Sequence, residues 1–383
     1  MEIICLKEYL KQALFILSRI SSKNTTLPVL SSVYFKADKS LLTLKATNLE
    51  IGVSVDVRGS ILKKGNVAVS GQILTNAIEG IDEKKITIKK KGQGIQIKTK
   101  KCNTQIKGIE TTDFPLIPQV KTGLFLKIKA SLLAQAFSQV VSSMAISNMR
   151  PDLAGVFIKK TGKTVKFVAT DGFRLSEKTV FQTGVRDSKK EENENKDQDK
   201  TNSIIVPGKT AQEIVRIFNK KNEIAELLVE ESQMAVKSAN IYLVSRVVDG
   251  NYPDYTQIIP KEYKTRIILN KNELLNASKL AALFSDSESS DIFFEASPEK
   301  KSVKISAQSK NTGQVSKEIK AKIQGNKVKV VLNHRYLIDG VNNINRDDLE
   351  ISINQASLPI LIKGFNKKQT QDYLYLISPI KQQ

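Results

Sequence analysis

One pattern recurs three times along the chain, and this recurrence constrains the fold more than any single motif. Leu10-Lys11-Gln12-Ala13, Leu133-Ala134-Gln135-Ala136 and Leu274-Leu275-Asn276-Ala277 each follow a short alternating segment and sit inside helical spacing, at offsets of 123 and 141 residues. Each copy then gives an alternating strand with a related ending, Leu44-Lys45-Ala46-Thr47-Asn48, Phe167-Val168-Ala169-Thr170-Asp171 and Ile305-Ser306-Ala307-Gln308-Ser309, at offsets of 123 and 138. A second short helix is expected to open near Ser70-Gly71-Gln72, Pro207-Gly208-Lys209 and Asn333-His334-Arg335. Two copies close on aromatic-proline corners, Asp113-Phe114-Pro115 and Asn251-Tyr252-Pro253. Four features recurring in one order imply a triplicated unit of about 125 residues, with domains over 1–122, 123–253 and 254–383.

Within a copy the periodicities assign an α+β class. Leu6, Leu10, Ala13, Leu14 and Leu17 form a stripe at helical spacing, and Leu132, Leu133, Ala136, Phe137, Val140 and Val141 repeat it. Between helices the chain alternates at period two, as in Ile86-Thr87-Ile88 and Ile95-Gln96-Ile97, with Lys91-Gly92-Gln93-Gly94 reading as a hairpin turn. Each copy is therefore expected to hold two helices on one face of antiparallel sheets. Residues 187–202 contain no apolar side chain and read as a solvated insertion in a hairpin. The alternative is a regulatory segment.

Composition narrows the chemistry. Cys5 and Cys102 allow no disulfide framework and no Cys-rich zinc site, and the lone His334 excludes a pair of catalytic histidines. Lys7, Glu8, Lys11 and Gln12 interrupt the apolar N-terminal run, so a signal peptide or membrane span is not expected and a cytoplasmic protein is. Thr161-Gly162-Lys163-Thr164 lacks the earlier glycine and following helix of a phosphate-binding loop and reads as a hairpin turn. Asp171, at a strand end, is the best candidate for metal-dependent nuclease or phosphotransferase chemistry. The equivalent positions in the other copies are Asn48 and Ser309, which suits a turn cap better than a metal ligand. No catalytic residue, metal or cofactor is expected.

The formal charge is +21, and all three copies are net positive. Aromatic residues make up 6% of the chain and no helix is rich in base-reading side chains, which leaves backbone attraction to nucleic acid without sequence preference. A protein coating DNA through this charge, and a surface that is merely Lys-rich, are the competing readings.

Five segments then point to a family. Thr26-Leu27-Pro28-Val29-Leu30, Asp113-Phe114-Pro115, Ala169-Thr170-Asp171-Gly172-Phe173-Arg174-Leu175, Val248-Asp249-Gly250-Asn251-Tyr252-Pro253-Asp254-Tyr255 and Tyr375-Leu376-Ile377-Ser378-Pro379-Ile380 together resemble the bacterial DNA polymerase III beta subunit, the replication sliding clamp. The resemblance implies a head-to-tail homodimer of three-domain subunits forming a ring around duplex DNA, helices inside and sheets outside. It implies as partners the replicative polymerase, a clamp-loader ATPase and other proteins carrying a clamp-binding motif. Their peptides would enter a cleft of Leu153, Thr170, Gly172, Phe173, Arg174, Leu175, Pro253, Ile258, Pro359, Ile360, Leu376, Ile377, Ser378, Pro379 and Ile380. Lys11, Arg19, Lys23, Asn24, Arg150, Lys209, Arg216 and Lys220 would face or flank the DNA, and Ser131, Gln135, Ser138, Gln139 and Ser142 would give the second copy a neutral polar face. Ile106 would meet Leu283 and Phe284 across the dimer interface. Three departures stand out: Phe173 where the family usually has His, Ser378 where it often has Met, and the extension Lys381-Gln382-Gln383.

Overall fold

The computed structural model describes residues 1–21, 27–38, 41–146, 149–181, 202–286, 289–365 and 372–381. Six α-helices lie among them, two per copy: α1 (Lys7–Leu17), α2 (Gly71–Glu79), α3 (Ala130–Val140), α4 (Gly208–Phe218), α5 (Lys271–Ala282) and α6 (His334–Asn342). The second helix of each copy starts where the repeats place it. Ser70 caps α2 through the Ile73 amide, and Asn333 caps α6 by accepting from the Arg335 and Tyr336 amides at 2.9 and 3.3 Å. Pro207 precedes α4, whose first amide, that of Gly208, donates to the Ala154 carbonyl at 3.0 Å.

The chain folds as two compact units, residues 1–131 with 220–247 and residues 132–219 with 248–383. In the first unit a five-stranded antiparallel sheet runs in the order Gly59–Lys63, Glu2–Leu6, Lys85–Lys91, Gly94–Lys98, Asn103–Ile106. A nine-stranded sheet runs Gly108–Ile109, Gly65–Ser70, Ser32–Asp38, Leu41–Thr47, Ile51–Val57, Ile241–Arg246, Gln233–Ser238, Ile224–Glu230, Leu124–Lys129. Strand Leu41–Thr47 buries Leu42, Leu44 and Ala46 on the side of α1 and turns Leu41, Thr43 and Lys45 to the opposite face. Pairing from Ile241↔Val55 to Ser245↔Ile51 joins the first copy to the middle one.

The second unit holds a twelve-stranded antiparallel sheet. Its order is Ser203–Pro207, Gly155–Thr161, Thr164–Thr170, Arg174–Phe181, Tyr373–Ile377, Ile360–Gly364, Asp348–Ile353, Thr265–Asn270, Gly313–Gly325, Ser302–Ser309, Asp291–Ser297, Val328–Asn333. Here the join between copies is Arg174–Phe181 against Tyr373–Ile377, with Leu175 opposite Leu376. The middle copy thus supplies strands to both large sheets. In the third copy, α5, α6 and the sheet enclose a core that includes Leu274, Phe294, Leu337, Val341 and Tyr375.

Two expected stripe positions differ. Leu6 is exposed, because it ends strand Glu2–Leu6 and its direction follows the strand's alternation instead of the helix that comes next. Leu132 is also exposed, since Leu133, Ala136, Phe137 and Val140 set the buried side of α3. The expected turns over 91–94 and 161–164 are hairpins, with Gly92 and Gly162 at φ of 58° and 55°. Both aromatic-proline corners are held by stacking at equivalent strand positions, Phe114 on Tyr34 at 4.9 Å and Tyr252 on Phe157 at 4.7 Å. Of the charged insertion expected at 187–202, all but Asn202 lies outside the described residues.

Candidate functional site

The strand endings singled out in the three copies perform one task. Asp171 Oδ1 accepts from the Phe173 and Arg174 amides at 2.9 and 3.0 Å. Asn48 Oδ1 does the same for the Glu50 and Ile51 amides at 3.0 and 2.7 Å, and Ser309 Oγ accepts from the Asn311 amide at 3.3 Å. These are side-chain turn caps. Asp171 Oδ2 in turn accepts from Arg174 Nε at 3.0 Å, so both carboxylate oxygens are engaged, and the enzymatic reading of Asp171 has no support.

Beyond that turn the expected cleft residues separate into two sets. Thr170 Oγ1 donates to the Arg174 carbonyl at 2.6 Å and accepts from the Gly172 amide at 3.1 Å, which closes the turn around Gly172 at φ 90°. Strand pairing sets Leu175 opposite Leu376, and both join a cluster with Val168, Tyr255 and Leu361. Ile360 and Ile377 alternate to the opposite face, where they are buried in the third-copy core beside Leu337 and Tyr375. A surface groove cannot use side chains from both faces of one sheet. Leu153, Leu175 and Leu376 are buried, so the exposed apolar side chains are Phe173 at 63%, Ile258 at 47%, Leu358 and Pro253. The turn Tyr255–Ile258 explains this placement: Tyr255 packs on the cluster and Ile258 is left at its outer end. The tail is fixed, with the Ser378 amide donating to the Phe173 carbonyl and the Ile380 amide to that of Val331, both at 2.8 Å. Pro359, Ser378, Pro379 and Ile380 are half-buried.

Arg174 is the electrostatic centre. Burial opposes its charge, but Asp339, at 2.7 Å from Nη1, and Asp171 outweigh that cost and raise its pKa. Its guanidinium also lies 4.3 Å from the ring centroid of Tyr336. Asp339 and Tyr336 escaped sequence reading because they come from α6, far from Arg174 in the chain. Tyr255 lies in the motif over 248–255, and no sequence signal marks its contact with Glu177. Burial and the Glu177 carboxylate, which accepts from its hydroxyl at 2.6 Å, raise its pKa.

The basic positions fall into several environments. Lys11, Arg19, Lys209 and Lys220 are exposed. Arg216 is half-buried and donates to Glu213 from Nε and Nη2 at 2.8 and 2.5 Å, while Arg150 forms a comparable pair with Asp152. Those two carry less net field than their charge suggests. Lys23 and Asn24 lie outside the described residues. Gln139 and Ser142 leave the expected neutral polar face, because Gln139 Nε2 donates to the Asn343 carbonyl at 2.6 Å and Ser142 Oγ accepts from Asn343 Nδ2 at 3.0 Å. Both tie the end of α3 to the end of α6.

At the expected interface Leu283 is 68% exposed and Phe284 packs partly into the third-copy core. Ile106, which the resemblance puts at the interface, is only 4% accessible, at the buried end of strand Asn103–Ile106 and opposite the buried Ile95. The backbone carries a stronger signal. Strands Ile51–Val57 and Arg174–Phe181 each follow a capped turn and pair with a strand of the next copy. Among the described residues, the third-copy equivalent, the first half of Gly313–Gly325, pairs only with Ser302–Ser309, and Asn103–Ile106 only with Gly94–Lys98. Two sheet edges are therefore open where the other junctions are closed.

Comparison with known proteins gives matches along the whole chain. Models of the DNA polymerase III beta subunit match in order, the N-terminal domain over 1–118, the central domain over 127–254 and the C-terminal domain over 256–380. The beta sliding clamp of Synechococcus elongatus is 24% identical over 386 residues, covering 100% of this chain and 99% of the relative. That of Bacillus subtilis is 24% identical over 376 residues, covering 96% and 95%. Among solved structures, the Bacillus subtilis DNA polymerase sliding clamp superposes with a TM-score of 0.90 at 23% identity, and the Thermotoga maritima DNA polymerase III beta subunit with 0.88 at 21%, each covering 100% of both chains.

Proposed function

The chain belongs to the DNA polymerase III beta subunit family and has its three-domain clamp fold, and from that premise we propose that it is a non-catalytic processivity factor of DNA replication. Two copies close head to tail into a ring that encircles duplex DNA and tethers the replicative polymerase. The domains run over 1–122, 123–253 and 254–383. The observation that supports the ring is the pair of open edges: among the described residues, the junction strand of the third copy and the strand Asn103–Ile106 of the first are each paired on one side only. A second copy completes both by the same edge pairing that joins the copies within the chain.

A clamp-loader ATPase opens the ring, and partners carrying a clamp-binding motif enter the surface around Phe173, Ile258, Leu358 and the Ser378–Ile380 tail. Leu175 and Leu376 form its floor. Lys11, Arg19, Lys209 and Lys220 supply a field without sequence preference. The protein acts in the cytoplasm, and no helix among the described residues is long and apolar enough to cross a membrane. Primer extension on a primed circle tests the function: with loader and polymerase present, adding the protein lengthens the product of a single binding event. Equal product lengths with and without it would refute the proposal.

A further inference from the structure

A second groove lies in the first unit, on the sheet face opposite α1. It has a volume of about 710 Å³, lies over strands Leu41–Thr47, Ile51–Val57 and Ile241–Arg246, and is edged by Gln119–Lys121. Tyr242 fixes that edge, its hydroxyl accepting from the Val120 amide at 2.8 Å and donating to the Pro118 carbonyl at 3.1 Å. The volume falls in the range of ligand sites.

The charge in the groove is unbalanced. Lys36, Lys45, Lys121 and Lys237 line it, together with Asp38, Asp56 and Glu226. The acids are engaged: Asp38 with Lys64 at 3.4 Å, Glu226 with Lys127 at 2.8 Å, and Asp56 as acceptor for the Thr43 hydroxyl at 2.7 Å. None of the four lining lysines forms an ion pair with a described residue. Burial, then the neighbouring Lys36, lowers the Lys45 pKa, and the pull of Asp56 does not offset them. Ser54, 9% accessible and on the groove floor, has a buried hydroxyl with no hydrogen-bond partner. An offset of 123 residues maps Lys45 onto Val168, so the second unit has a buried apolar side chain where this groove has an ammonium.

We propose that this groove binds an acidic linear peptide segment, its carboxylates meeting Lys36, Lys45 and Lys237 and an apolar side chain resting on Leu41 and Tyr242. A peptide fits better than nucleic acid because the groove is on the sheet side; this clause rests on the clamp reading, in which DNA lies on the helix side. The groove is too large for a lone phosphate, and its lining includes Leu41, Val120, Leu228 and Ile241.

The probe is a fluorescein-labelled octapeptide of alternating Glu and Leu, titrated with the full chain at low salt and read by fluorescence polarisation. Saturable binding is expected. It should weaken at least about fivefold in Lys45→Gln and in the exposed double variant Lys36→Glu with Lys237→Glu, and stay unchanged in Ile258→Asp and in the distant Lys100→Glu. No saturable binding, equal loss in Lys100→Glu, retained binding in folded groove variants, or displacement by duplex DNA but not by unlabelled peptide would each overturn the proposal. Retention of the same variants on circular DNA reads the clamp function separately, so failure of the groove and failure of the ring are distinguishable.

Discussion

Asp171 and Gly172 sit side by side and fail in different ways when changed. Asp171→Ala removes an acceptor from two amides and a counter-charge from a largely buried guanidinium. A loss of about 1–3 kcal/mol in unfolding free energy is expected by urea titration. Wild-type stability would contradict the capping role. Gly172→Ala meets nothing within 4 Å, so its cost is the left-handed backbone alone, about 1 kcal/mol. Gly340→Ala in α6 has no such strain but drives a methyl into the Tyr375 ring, at a cost of about 1–3 kcal/mol. The turn caps were legible in the sequence because they recur. Gln139 and Ser142 were not, because periodicity tells which side of a helix is polar and not that Asn343 will meet it.

Strands decide which cleft variants are informative. Leu175→Asp would place a carboxylate in a fully buried site, and deletion from Leu376 would remove half of an internal strand, so both disturb folding before binding. Ile258→Asp and deletion of 379–383 leave the sheet intact. Each should weaken a clamp-binding peptide at least about tenfold with unchanged thermal unfolding, since one buried anchor is worth about 1.5–3 kcal/mol. Unchanged peptide affinity would remove this surface from the site.

Across three neighbouring strands, Glu350 pairs with Lys363 at 2.8 Å and with Arg266. Burial pushes the Glu350 pKa up, but the two cations together bring it below its ordinary value of 4.5. Its folded pKa is depressed, so its contribution is present above pH 4.5 and lost as pH falls through the lowered value. Glu350→Gln should flatten that part of the stability profile between about pH 5 and 3, and an unchanged acid limb would contradict the assignment. Strand identity was legible from alternation. The pairings between copies were not, because nothing local in Ile51–Val57 specifies Ile241–Arg246 as its partner.

At the scale of the molecule, the periodicities within a copy predicted the α+β class and triplication the repeated helices, yet neither indicated that the middle copy would divide its strands between two sheets. In the proposed ring, the open edges and the exposed Leu283 would carry the assembly. Leu283→Asp should yield folded monomers by sedimentation, because the side chain is already exposed in the single chain; an unchanged dimer would exclude this position from the interface. The +21 charge leaves one rival, a protein that coats DNA by direct attraction. Attraction to phosphates falls steeply as salt rises, whereas a closed ring has no comparable escape. The decisive measurement is retention of loaded protein on nicked circular DNA after a wash at about 1 M salt, followed by a single restriction cut. The clamp account predicts retention on the circle and release on linearisation; loss in the wash, or identical retention before and after the cut, would contradict it.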